Sequence, residues 1–348
     1  MELPVRPHRA SPFHAGELAA QERAGVREQM DAGGRRMIRA EMPEQHRTFF
    51  GQLPFVVAGA VDGSGLPWAT LLTGEPGFAW SPDPAHLRID ALPKAGDPLV
   101  QSLEEGRRIG LLGIELPTRR RNRMNGTIVL RDDGGITVAV EQSFGNCPRY
   151  IQLRDLDSAR SSEPSTVAWH GRELDAAAVA LLRRADTLFI ASHYQAKPGE
   201  DGGEGVDVSH RGGRPGFIRV DDTRTLTFPD FNGNKLFNTI GNLLVNPRAG
   251  ILVPDFGNGS LLHVSGNAEV IWEGDEVEAF AGAERLVRVH VASVVRWERA
   301  LPWRWQLREY SPWLANTGSW TEGQTEALGT GCEGVGREDR LRRSVAES

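Results

Sequence analysis

The sequence predicts a mainly β protein with peripheral helices, built as two small antiparallel barrels of six strands in tandem. Three observations predict it. Short apolar or alternating runs recur between Gly, Pro, Asp and Asn, as strands do. The turns "DGSG", "RDDGG" and "FGNGS" join such runs as hairpins. One pattern then occurs twice along the chain, which is the mark of a repeated unit.

The repeat keeps register. Gly77-Phe78 and Gly216-Phe217 lie 139 residues apart, and Leu87 and Leu226 keep that offset. Gly110 pairs with Gly250 and Gly126 with Gly266 at 140, so one inserted residue separates the two copies. In the first copy the strands are "FVVAGAV", "ATLL", "LRIDAL", "IGLLGIEL", "GTIVL" and "ITVAVEQ". The second offers "TLFIAS", "GVDVS", "GFIRVDD", "TLTF", "AGILVPD", "LLHVSGNAEVIW" and "RLVRVHVASVV". Closure into barrels would remove the exposed sheet edges. In chain order, residues 1–44 form an N-terminal helical extension, with a leading helix over 15–32. Residues 45–155 make the first barrel, 156–184 a linker and helix ("ELDAAAVALLRRA"), and 185–312 the second barrel. The polar, Gly-rich stretch 313–348 reads as disordered.

Composition excludes several functions. The net charge is −6, without the basic surplus of a nucleic-acid binder. Cys147 and Cys332 lack CxxC spacing, so neither a metal site nor a disulfide framework is expected. No apolar run approaches the ~20 residues needed to span a bilayer, and the N-terminus has no signal-peptide core. A soluble cytoplasmic protein is the expectation.

Only three lysines stand against 37 arginines, and one, Lys235, follows an Asn-Gly-Asn turn. Leu236, Ile240, Leu243 and Leu244 then fall on one helical stripe, which Asn246-Pro247 ends. A helix starting at Lys235 would bring free N–H groups and the positive dipole end beside its ammonium, a natural anion site. The alternative is a capped surface helix with a solvated lysine. The first copy instead starts its helix "KAGDPLVQSLEEG" with Asp97, which would repel a phosphate. One functional half and one scaffolding half follow from that contrast.

The run "GRPGFIRVDDTRTLTFPDFNGNKLFNTIGNLLVNPRAGIL" resembles the FMN-binding split barrel of the pyridoxamine 5′-phosphate oxidase-like family. "TRRRNRMNG" and "EQSFGNCPRYIQLR" in the first copy are similar to the same group. The resemblance covers roughly residues 45–300 and implies two split β-barrels packed as a pseudo-dimer with FMN as cofactor. It implies that Lys235 and Asn234 bind the flavin phosphate, with Arg214 as the strand arginine. Asp230 stands where the family often has a small hydroxyl residue, and Ser209 and Thr227 are weaker candidates for the same site. The family's C-terminal substrate arginine has no motif match here, although Arg304 and Arg308 lie in that region. Catalytic residues stay unassigned.

Other clusters are read more plainly. Asp207, Ser209 and His210 are adjacent on one strand and cannot converge as a hydrolytic triad. His210 either polarises a substrate or sits in a loop, and Gly212-Gly213 permit close backbone approach. "TRRRNR" reads as a solvated hairpin, with the alternative that one arginine crosses between barrels to an anion. Trp297, Trp303 and Trp305 read as packing, and Cys147 as a small buried residue.

The expected function is an FMN-dependent oxidoreductase acting on a small molecule, with any electron donor a separate protein. No nucleic-acid or membrane partner is expected, and a homodimer is left open. Two alternatives remain: a non-catalytic flavin-binding or sensing module, and a split barrel that has lost flavin.

Overall fold

The computed structural model describes residues 11–157, 165–196 and 203–320. Three helices lead the chain: α1 (Ala15–Arg23), α2 (Arg27–Met37) and α3 (Glu44–Gly51). The expected single helix over 15–32 is therefore two, broken where Gly25 takes a φ of 68° that continues no helix.

The first sheet contains β1 (Phe55–Val61), β2 (Pro67–Thr73), β3 (Ala79–Asp83), β4 (His86–Ile89), β5 (Arg108–Glu115), β6 (Arg120–Asp132) and β7 (Gly135–Asn146). Its order is β2-β1-β5-β6-β7-β4-β3, all antiparallel. After β8 (Leu153–Asp157), β9 (Thr166–Gly171) and α4 (Ala176–Arg184) comes the second sheet. It contains β10 (Thr187–Tyr194), β11 (Gly205–Gly212), β12 (Arg219–Asp222), β13 (Thr225–Phe231), β14 (Arg248–Asp255), β15 (Ser260–Ile271) and β16 (Ala283–Glu298). Helix α5 (Asn238–Val245) lies between β13 and β14, and β17 (Arg304–Glu309) pairs with β8. The second order, β11-β10-β14-β15-β16-β13-β12, repeats the first strand for strand, with β9 added beside β16. The first sheet has seven strands rather than six; the strand the hydrophobic pattern misses is β3, whose burial is confined to its first residue.

Period-2 alternation decides what each strand buries. Val56 and Ala58 of β1 join a core fed by all seven strands of the first sheet, which therefore wraps around it. Phe55 and Val57, on the opposite face, pack with Phe189, Ala191 and Val208 of the second sheet. Contacts between the sheets are reciprocal. A Cβ on Gly110 of β5 would lie 2.4 Å from the Val206 carbonyl oxygen of β11. On Gly250 of β14, the equivalent strand, it would lie 2.3 Å from the Pro67 carbonyl oxygen of β2. Equivalent strands each meet the equivalent partner strand of the opposite barrel, which is how a two-fold interface behaves. Both sheets also shift register at the same place, Asn125/Gly126 and Ser265/Gly266.

Two expectations are corrected. The stretch after Lys94 forms turns instead of a helix, because the Asp97 carboxylate accepts the backbone N–H of Leu99 at 2.8 Å and competes with helical bonding. Residues 313–320, expected to be disordered, pack on the second barrel: a 3₁₀ turn covers Pro312–Asn316, and the buried Trp320 indole donates to the Phe217 carbonyl at 3.0 Å. The rest of that stretch lies outside the described residues.

Candidate functional site

A cleft opens where β6 and the segment Asn146–Tyr150 of the first half face β11, β13, β16 and the start of α5. Six cationic side chains line it, Arg121, Arg123, Arg149, Arg211, Lys235 and Arg285, against two carboxylates, Asp230 and Glu284. A chain with net charge −6 thus concentrates positive charge in one groove.

Arg120, Arg121 and Arg123 of "TRRRNR" lie on strand β6, with Arg119 in the turn before it, and Arg121 and Arg123 cross between barrels. Arg123 donates to the Asp207 carboxylate at 2.8 Å and also to the Ser209 hydroxyl. The Arg121 guanidinium donates to His210 Nδ1 at 3.2 Å and to Cys147 Sγ at 3.5 Å. Among the described residues Arg121 has no carboxylate partner. Burial lowers its proton affinity, an effect that nearby Cys147 opposes and Arg211 and Arg123 reinforce.

His210 is on a strand, not in a loop, and is 4% exposed. Burial, then Arg121, Arg211 and Arg154, hold its pKa well below the usual value, so the ring is neutral. A guanidinium can only donate, so Nδ1 must accept and the ring proton belongs on Nε2. That Nε2 has no partner among the described residues. The Nε of Arg121, the Nε of Arg285 and Asn146 Nδ2 are likewise buried donors without partners.

The lysine segment differs from the expected helix start. Lys235 and Phe237 adopt φ values of 61° and 62°, and the helix begins only at Asn238. The predicted stripe runs across that break. Leu236 packs with Phe13 and Phe144, while Ile240 and Leu243 enter the second barrel's core and Leu244 is exposed. Lys235 Nζ is paired with the Glu284 carboxylate. Asn234 donates to Asn146 Oδ1 at 3.0 Å and accepts from the Leu236 N–H at 3.2 Å, tying the turn to the first half. Asn238, Thr239 and Ile240 line the cleft, so the first turn of α5 brings its dipole there.

The other expected residues divide. Asp230 and Ser209 line the cleft. Asp230 is neutralised by Arg285 at 2.5 Å and Arg211 at 2.7 Å. Ser209 also meets the Thr239 hydroxyl at 2.8 Å. Arg214 is exposed in the turn after β11, with its guanidinium 5.2 Å from the Tyr310 ring centre. Thr227 is fully buried and donates to Asp221 at 2.6 Å, away from the cleft lining. The strand arginine in the cleft is Arg211, three residues before Arg214; "GVDVS" had ended the strand too early. Arg285 was missed as well, though it sits directly opposite Asp230 in the β13–β16 register, a cross-strand charge pair.

Gly212 explains how the two halves close on each other. A Cβ there would lie 2.0 Å from the Tyr150 carbonyl oxygen, so the Cys147–Tyr150 segment passes directly over it. The counterpart region across the pseudo-two-fold is built differently. Leu261 and His263 stand 140 residues after Arg121 and Arg123. Leu261 clusters with Trp297, Trp303 and Trp305, and His263 is fully buried with Nδ1 2.9 Å from the Ala69 carbonyl. Aromatic packing occupies one half; the other half has the charged cleft.

No group of His, Cys, Asp and Glu that could hold a metal occurs among the described residues, and none of their helices is long and apolar enough to cross a membrane. Residues 174–303 match the family model described as Pyridoxamine 5′-phosphate oxidase. No curated protein matches. Among solved structures, HupZ from Group A Streptococcus aligns at 17% identity over 33% of this chain and 86% of its own, with a TM-score of 0.26. A putative pyridoxamine 5′-phosphate oxidase from Lactobacillus delbrueckii aligns at 15% identity over 36% and 94%, TM-score 0.27. An FAD-binding protein from Mesorhizobium loti aligns at 18% over 36% and 96%, TM-score 0.24.

Proposed function

We propose, from the premise that residues 174–303 belong to the pyridoxamine 5′-phosphate oxidase-like split-barrel family, that the cleft binds a flavin and that the flavin is FMN. The observation that carries this reading is the set of buried donors without acceptors: Arg121 Nε, Arg285 Nε, Asn146 Nδ2 and His210 Nε2. A buried donor left unpaired costs about 1–3 kcal/mol, so a site with several of them fits a ligand rich in acceptors. The phosphate and ring carbonyls of FMN are such acceptors. Lys235, Asn234, Ser209, Arg211 and Arg285, which all line the cleft, would hold the phosphate. Asp230 keeps the two arginines oriented. Arg214 and Thr227 lie outside the cleft lining and take no part in this reading.

A bound flavin supplies hydride and electron transfer, and the protein supplies orientation and electrostatics. His210 keeps its ring neutral and its Nδ1 engaged, so it donates a hydrogen bond from Nε2 and does not exchange protons at neutral pH. That favours orientation over acid–base catalysis. We therefore carry oxidation or reduction of a small molecule as the function and flavin storage or sensing as the second reading. Both halves of one chain complete the cleft, so no second copy is needed. The shared strand order, the common register shift and the 140-residue offset support descent by internal duplication.

The test is to incubate the purified chain with FMN, remove free flavin by gel filtration and record the absorption spectrum. Co-eluting flavin is expected. A colourless protein fraction at saturating FMN overturns the reading.

A further inference from the structure

Cys147 sits half-buried at the cleft, with the Arg121 guanidinium 3.5 Å from its sulfur. Arg121 has no carboxylate partner among the described residues. Beneath it, His210 is 4% exposed and has an unpartnered Nε2, and Arg285, also 4% exposed, has an unpartnered Nε. Both line the same cleft as the thiol. A half-buried sulfur and six cationic side chains therefore share one pocket, and an anion carried on a sulfur reagent meets both. The cofactor reading does not use Cys147.

We propose that Cys147 is a thiolation site for small disulfides that bear carboxylates. The Cys147 sulfur attacks one sulfur of the incoming disulfide; that S–S bond breaks as the Cys147–S–S bond forms. The other half leaves as a thiolate and takes up the proton released by Cys147. The disulfide is the only oxidant, and one S–S bond replaces another. The cationic cleft draws in the anionic reagent, and the retained half rests its carboxylate against Arg121. Selection thus comes from the charge of the cleft. This inference rests on the cationic cleft and not on the identity of any cofactor.

The experiment uses the full chain with Cys332→Ser, so that all thiol reactivity belongs to Cys147. Initial rates are measured with dithiobis(nitrobenzoate), a dianion, with neutral dithiodipyridine, and with both on N-acetylcysteine as the free-thiol reference. The dianion-to-neutral rate ratio is expected to exceed the reference by about tenfold or more, as electrostatic steering allows. Inorganic phosphate should slow the dianion more than the neutral reagent, and Arg121→Gln should bring the ratio towards the reference. The phosphate arm needs no variant, so a poorly folding Arg121→Gln leaves the proposal testable. A ratio equal to that of N-acetylcysteine, or one unmoved by phosphate, overturns it. The outcome is independent of FMN uptake, so the two readings fail separately.

Discussion

Arg123 and Asp207 form an ion pair of 2.8 Å that joins the two barrels, β6 of one to β11 of the other. The Asp207 carboxylate also accepts from Asn125 and from Asn242, each at 2.8 Å, so both its oxygens are engaged. The pair is buried, and breaking a buried pair leaves an uncompensated charge. Asp207→Asn is expected to lower unfolding free energy by about 3–5 kcal/mol, read as a shift of the urea midpoint. A loss under roughly 1 kcal/mol, the range of a surface pair, contradicts the role.

Glu17 connects the same network to α1. Burial, then the charge of Asp207, raises its pKa from 4.5 to about 8, against hydrogen bonds from the His14 N–H and Asn238 and the charge of Arg123. The folded state keeps a proton that the unfolded chain releases above 4.5. Stability must therefore fall as pH rises from 4.5 to about 8, at up to about 1.4 kcal/mol per unit, and level off beyond. His14 beside it is held below 6.5 by burial; its contribution has the opposite sign and is complete above 6.5. The window from 6.5 to about 8 thus reports Glu17. Thermal melts across that window should decline in the parent and stay flat in Glu17→Gln.

The reciprocal glycines test the pseudo-two-fold. Gly110→Ala and Gly250→Ala each place a Cβ under 2.5 Å from a carbonyl oxygen of the other barrel. Each is expected to cost about 1–3 kcal/mol as overpacking does, by denaturant unfolding. Equal and small effects from both would mean the barrels separate slightly at no cost.

Asp230 sets the charge of the cleft. Asp230→Asn leaves Arg211 and Arg285 without their shared carboxylate. The fold should lose stability while affinity for inorganic phosphate rises by several-fold, seen by calorimetric titration. Loss of both stability and affinity would show that Asp230 positions the arginines more than it screens them.

Much of this was readable in the sequence, for identifiable reasons. Hairpin turns such as "RDDGG" and period-2 alternation fix strands locally, and the 140-residue offset carries over to matched strands and matched register shifts. Lys235 stood out by its rarity. Two kinds of information were lost. Backbone breaks are invisible to periodicity: Leu236 and Ile240 share a stripe on paper but bury in different clusters once Lys235 and Phe237 turn left-handed. Partners that meet across barrels leave no local trace either. The sequence therefore favours a solvated hairpin for Arg121 and Arg123 and offers the crossing between barrels only as the alternative, which the Arg121–His210 and Arg123–Asp207 contacts bear out. Arg285 was hidden until strand register put it opposite Asp230.

The central claim is that the cleft holds a flavin by its phosphate, with Lys235 as one of the groups that hold it. The most direct measurement is the affinity of FMN and of riboflavin, which lacks the phosphate, for the parent and for Lys235→Ala, by quenching of flavin fluorescence. The account predicts that the parent binds FMN more tightly than riboflavin by about tenfold or more, roughly one charge-assisted hydrogen bond. Lys235→Ala should shrink that ratio while leaving riboflavin affinity in place. Equal affinities for the two flavins in the parent, or a ratio that survives the loss of Lys235, would contradict it.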